Sequence, residues 1–159
     1  MGLRCEYFVA SDDSVAAAVA GWPSGPSVPP KPSGWRRRPE PPLPTVHAGT
    51  IDPVVLMGIL EGLLVEVDDG PLIDRSAASQ LAEGPSGQRW VFAMADRLFG
   101  AIAAADPARL EVVATRWAAA EEFAGGADPA ELGRGLAELA GLARRAIGAG
   151  ARVYCWMSL

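Results

Sequence analysis

Hydrophobic and polar positions alternate most clearly at the two ends of the chain. Leu3-Arg4-Cys5-Glu6-Tyr7-Phe8-Val9 opens it and Arg152-Val153-Tyr154-Cys155-Trp156-Met157-Ser158-Leu159 closes it. Both are rich in aromatic or β-branched residues, as half-buried strands are. Ends fray unless pairing ties them down. The pattern therefore predicts one sheet that holds both terminal strands.

Between them the hydrophobic period lengthens to that of helices. Ser11-Asp12-Asp13 predicts a short helix over 12–20, with Ser11 as cap and the aspartates at the positive end of the dipole. Three Asp-Pro pairs, Asp52-Pro53, Asp106-Pro107 and Asp128-Pro129, each mark a helix start, because aspartate caps and proline fits the first helical position. The helix from Pro53 to about Val67 is apolar nearly all round and reads as buried on most sides. Residues 107–123 place Leu110, Val113, Ala114, Trp117 and Ala118 on one face, and 129–147 align Leu132, Leu136, Leu139, Ala143 and Ile147. Trp90-Val91-Phe92-Ala93-Met94 predicts a strand, followed by a short helix from Asp96 to about Ala105. Residues 72–88 give at most a short helix around Arg75 to Ala82, then a turn at Gly84-Pro85-Ser86-Gly87.

Residues 23–44 hold nine of the 14 prolines, with Trp35-Arg36-Arg37-Arg38 in their midst. Such a segment can neither continue a helix nor enter the interior of a sheet. It predicts an irregular surface loop. The expected architecture is a single α+β domain over 1–159, with a small sheet containing both terminal strands, about five helices packed on one face, and a proline-rich loop insertion at 23–50.

Composition narrows the function. With 50% hydrophobic and 21% charged residues, the chain is not globally disordered. A net charge of −5 disfavours nonspecific binding to nucleic acid or anionic membranes, which demand Lys and Arg. Neither a signal peptide nor a run long enough to span a bilayer is legible, so a cytoplasmic location is expected. The two cysteines, Cys5 and Cys155, fall one in each terminal strand and read as reduced core thiols. With one histidine they make no metal site unless carboxylates join them.

Catalytic signatures are missing. His47, the lone histidine, has no recognisable Ser or Cys nucleophile beside it and reads as a loop residue. Gly84–Arg89 lacks the Gly-Lys-Ser/Thr ending of a phosphate-binding loop, and no nucleophile elbow exists. The adjacent acidic pairs sit at predicted helix ends, where solvated charge is ordinary. Glu121 and Glu122 stand out, because negative charge is disfavoured near a helix C-terminus.

The opening Met1-Gly2, Tyr7-Phe8 in the first strand and the Ser11-Asp12-Asp13 helix start form one part of a wider pattern. A mid-chain strand with an amphipathic helix pair, then a long helix running into a terminal strand, complete it. Together these resemble the YfbM-like family, small bacterial proteins of unknown function. The proline-rich insertion is a departure, as is the lack of a tryptophan-rich helix at 53–64. The resemblance implies a small α+β domain and transfers no catalytic residue and no cofactor.

Two functions fit these residues. The first is a noncatalytic, cytoplasmic protein-binding module, regulatory or immunity-like, that meets another protein through Trp35, Arg36, Arg37 and Arg38. The alternative is a small enzyme or small-molecule-binding protein. Its pocket would lie between sheet and helices and draw polar groups from Glu6, Tyr7, Glu121, Glu122 and Tyr154.

Overall fold

The computed structural model describes residues 2–35, 38–65 and 77–159. Their strands form one antiparallel sheet: β1 (Arg4–Ala10), β2 (Thr45–His47), β3 (Ala78–Glu83), β4 (Arg89–Met94) and β5 (Arg152–Ser158), in the spatial order β2-β1-β5-β4-β3. The two terminal strands are neighbours at its centre, paired without a break from Arg4 opposite Ser158 to Ala10 opposite Arg152. The helices are α1 (Asp13–Ala18), α2 (Val55–Leu64), α3 (Asp96–Ala104), α4 (Pro107–Ala118) and α5 (Pro129–Gly148). The fold is α+β.

Both faces of the sheet are covered, which corrects the expectation of helices on one face alone. Cys5, Tyr7 and Val9 of β1 join Val153 and Cys155 of β5 under α2 to α5. Their alternating neighbours Phe8, Ala10, Tyr154 and Trp156 pack against Ala16 of α1, the 3-10 turn Val19–Gly21 and Trp22. Since successive side chains in a strand point to opposite faces, the central strands are apolar on both.

Asp106-Pro107 and Asp128-Pro129 act as read, while at Asp52-Pro53 the helix begins two residues later, at Val55. Asp106 Oδ1 accepts from the Arg109 amide at 2.8 Å and Asp128 Oδ1 from the Ala130 amide at 2.9 Å. Asp52 Oδ1 accepts from Val54 and Val55 at 3.0 and 2.7 Å. In α1 the cap is Asp12 rather than Ser11: Asp12 accepts from the Val15 amide, and the Ser11 hydroxyl donates to Asp12 instead. The Val15 amide is also the main reason the Asp12 carboxyl lies below its usual range.

Other expectations change. Residues 78–83 form β3, not a helix, while 66–76 lie outside the described residues. The tight turn from β3 to β4 packs on the other side of the sheet, where a Cβ at Gly84 would lie 2.4 Å from the Ala20 carbonyl oxygen. Helix α2 is covered on most sides: within it only Val55, in its first turn, is exposed, while Leu56, Met57, Leu60 and Glu61 are buried and the rest are half-buried. Glu61, read as part of a polar stripe, is turned inward and ion-paired with Arg97. Helix α4 ends at Ala118, five residues before its expected end, because Phe123 folds back edge-on against Trp117 at 5.5 Å. No described helix is long and apolar enough to cross a membrane.

Candidate functional site

The proline-rich segment is fixed to the body at its base. Trp22 is buried in the second core cluster and Leu43 packs against the same cluster. The Leu43 amide donates to the Pro26 carbonyl at 3.0 Å, and the Val28 amide to the Gly25 carbonyl at 3.2 Å, so the two arms of the segment meet. Residues 23–35 and 38–44 contain turns and bends but no helix or strand. Thr45–His47, within the expected 23–50 insertion, is instead the edge strand β2, paired with Phe8, Tyr7 and Glu6 of β1. Between the joined arms, Trp35 is 89% exposed. Arg38 is exposed as well, and Arg36 and Arg37 lie outside the described residues.

Beneath the base sits a buried carboxylate. Glu6 is the one charged residue of β1 that is fully covered. It stands in register with His47 on β2 and with Trp156 on β5. Its Oε1 ion-pairs with Arg4, two residues away on the same strand face, and lies 3.2 Å from His47 Nδ1. Arg4 also donates to the Ser24 carbonyl at 3.3 Å and places its guanidinium 5.3 Å from the centre of the Trp156 ring, within cation–π range. Gly25, with φ of +88°, closes the other side of the carboxylate. The group is a clasp: a buried carboxylate held by the Arg4 guanidinium and the His47 imidazole, over which the start of the proline-rich segment is laid.

The structure separates the other residues expected to share a pocket. Tyr7 faces the opposite side of the sheet from Glu6 and donates its hydroxyl to the Ile51 carbonyl at 2.9 Å. Burial, then the nearby Cys155 and Cys5, push the Tyr7 phenol well above its usual range. Tyr154 shares the Glu6 face, but its hydroxyl donates to Asp13 Oδ1 at 2.7 Å. Burial first, and Asp13 next, raise that phenol too. Arg152 extends this tie with 3.2 Å to Asp13 and 3.1 Å to Asp96, joining β5 to α1 and α3. Glu121 and Glu122 are exposed in the turn after α4 and not on a helix end, so the dipole argument that singled them out does not hold there.

Among the described residues, clefts open on both sides of α5. One, of about 590 Å³, runs between α4 and α5, from Pro107 and Pro129 to Arg144. The other, of about 460 Å³, lies between the β2–α2 connection and α5. Its floor is Trp117, Phe123, Leu132, Leu136 and Leu139, and Asp128 and Glu131 stand at its rim. None of Glu6, Tyr7, Glu121, Glu122 and Tyr154 lines either cleft. Among the described residues, no group of three or more His, Cys, Asp or Glu is placed to hold a metal ion. Cys5 and Cys155 are free and buried.

Sequence reasoning missed the Glu6 clasp, because Glu6 and His47 are far apart in the chain and meet only through strand pairing. The available signal was a single acidic residue inside the apolar run Cys5–Phe8.

No protein-family model, curated protein or solved structure matches this chain. The likeness to the YfbM-like family stands on the sequence pattern alone.

Proposed function

We propose that this protein is a noncatalytic cytoplasmic binding module that meets another protein through its proline-rich segment. The observation that carries this reading is Trp35, 89% exposed between two arms joined at their base. Tryptophan and arginine are the side chains most enriched at energetic centres of protein interfaces. Here one tryptophan is followed directly by three arginines. Anchoring the arms limits the ordering that binding must impose, which favours affinity. Prolines restrict the backbone between anchor and tip in the same sense.

The test replaces residues 30–41 with a short Gly-Ser linker and leaves Gly25, Pro26, Val28 and Leu43 in place. The variant should keep the circular dichroism spectrum and melting temperature of the parent, and should lose the proteins that the parent captures from a native lysate. Recovery of the same proteins by the folded variant would reject the proposal.

A further inference from the structure

We infer that the cleft beside β2 receives the Trp35–Arg38 stretch of a second copy of this chain. This rests on the binding role given above to the proline-rich segment and names its partner.

Charge is the first argument. Residues 23–44 contain Lys31, Arg36, Arg37 and Arg38 against Glu40 alone, a net of +3. The whole chain carries −5, so everything outside the segment carries −8. A basic arm on an acidic body is complementary to another copy of that body. Such complementarity steers association and fixes register.

Shape and chemistry are the second. The floor of the cleft is aromatic and aliphatic, and its volume of about 460 Å³ is ample for one aromatic side chain. Asp128 and Glu131 at the rim are both exposed and acidic, suited to guanidinium groups that follow a tryptophan. Arg134, 3.9 Å from Glu131, does not line this cleft.

Position is the third. The segment runs straight into β2, the edge strand of the sheet, and Val46 and His47 of that strand also line the cleft. Ten residues separate Trp35 from Thr45, a reach of at most about 35 Å. Arm and cleft thus meet at the β2 edge of the sheet, the arm's base on the Glu6 face and the cleft on the Tyr7 face. A two-fold axis there lets each copy give its arm and receive the other's, which closes the assembly as a dimer.

Sedimentation equilibrium from micromolar to near-millimolar protein tests this. The parent should form a dimer that weakens with salt. Trp35→Ala should weaken it about thirtyfold, as loss of a central interface residue does. Arg38→Glu and Glu131→Arg should each weaken it, and the two together should restore it. All variants lie on the surface, and circular dichroism checks that they fold. A monomer at every concentration, or a dimer indifferent to Trp35→Ala, overturns the inference. Either result leaves capture of a different protein by the same segment intact, which the linker replacement tests separately.

Discussion

Gly25 sits so close to Glu6 that a Cβ at position 25 would lie 2.7 Å from the Glu6 Oε2. The backbone there also has φ of +88°, a conformation that side chains resist. Only glycine satisfies both conditions, so the entry of the proline-rich segment is tied to one buried carboxylate.

Gly25→Ala should therefore destabilise the protein by about 2–3 kcal/mol, the sum of left-handed strain and a clash that buried Glu6 cannot yield to. Gly34→Ala, with φ of +102° but open space around it, should cost only about 1 kcal/mol. Urea unfolding measures both. Chymotryptic cleavage after exposed Trp35 should speed up in Gly25→Ala more than in Gly34→Ala.

Arg4 and Arg134 make contrasting ion pairs. Arg4 faces the fully buried Glu6, whereas Arg134 and Glu131 are both mostly in solvent and 3.9 Å apart. Arg4→Ala leaves a buried carboxylate with the His47 imidazole as its remaining side-chain neighbour and should cost about 2–3 kcal/mol, somewhat below a wholly buried pair because Arg4 is half exposed. Arg134→Ala should change stability by less than about 0.5 kcal/mol. Equal effects in chemical denaturation would contradict the clasp.

How much of this the sequence held depends on how local each signal was. The terminal strands and the Asp-Pro helix starts were legible, because alternation and capping act within a few residues. Ala78–Glu83 was not, since Ala, Gln, Leu and Glu favour helices and only pairing with β4 holds them extended. Thr45–His47 is three residues long and follows a run of prolines, so its strand character comes from β1 alone. The end of α4 was misread because the contact of Phe123 with Trp117, and not propensity, turns the chain. The same logic separates the site residues: Trp35 and its arginines announce themselves by composition, while Glu6, Arg4, His47 and Gly25 form a cluster only once the sheet exists.

Alkaline pH should weaken the fold. Tyr7 and Tyr154 both have raised phenol pKa values in the folded state, chiefly from burial. A group raised on folding contributes stability that is fully present below its unfolded pKa and lost as pH climbs toward the folded value. Stability should thus hold to about pH 9–10 and fall above it. Tyr154→Phe removes the hydrogen bond to Asp13, should cost about 1 kcal/mol at neutral pH, and should flatten part of the alkaline decline. Urea midpoints across this range give the slope; an increase in stability with pH would contradict the assignment.

Both thiols should be silent in the folded protein. Cys5 and Cys155 have no exposure, and burial, followed by Cys5, holds the Cys155 thiol well above its ordinary range. Cys5 stands opposite Met157 and Cys155 opposite Tyr7, so the pair is diagonal across the ladder. Diagonal neighbours have α-carbons about 7–8 Å apart, wider than the usual disulfide span, although the Cys5 and Cys155 side chains are close enough to hydrogen-bond. Labelling by a disulfide reagent should be roughly a thousandfold or more slower than in urea. Rapid labelling, or a mass two hydrogens short after mild oxidation, would show the strands to be looser than described.

Photo-crosslinking tests the binding role of the proline-rich segment most directly. A benzophenone amino acid placed at Ser33, beside exposed Trp35, should yield a protein adduct in living cells. The same probe at Val112, exposed on α4, should give little or none. Adduct formation at Val112 but not at Ser33, or none at Ser33 under any condition, would contradict a segment built to present Trp35 to another protein.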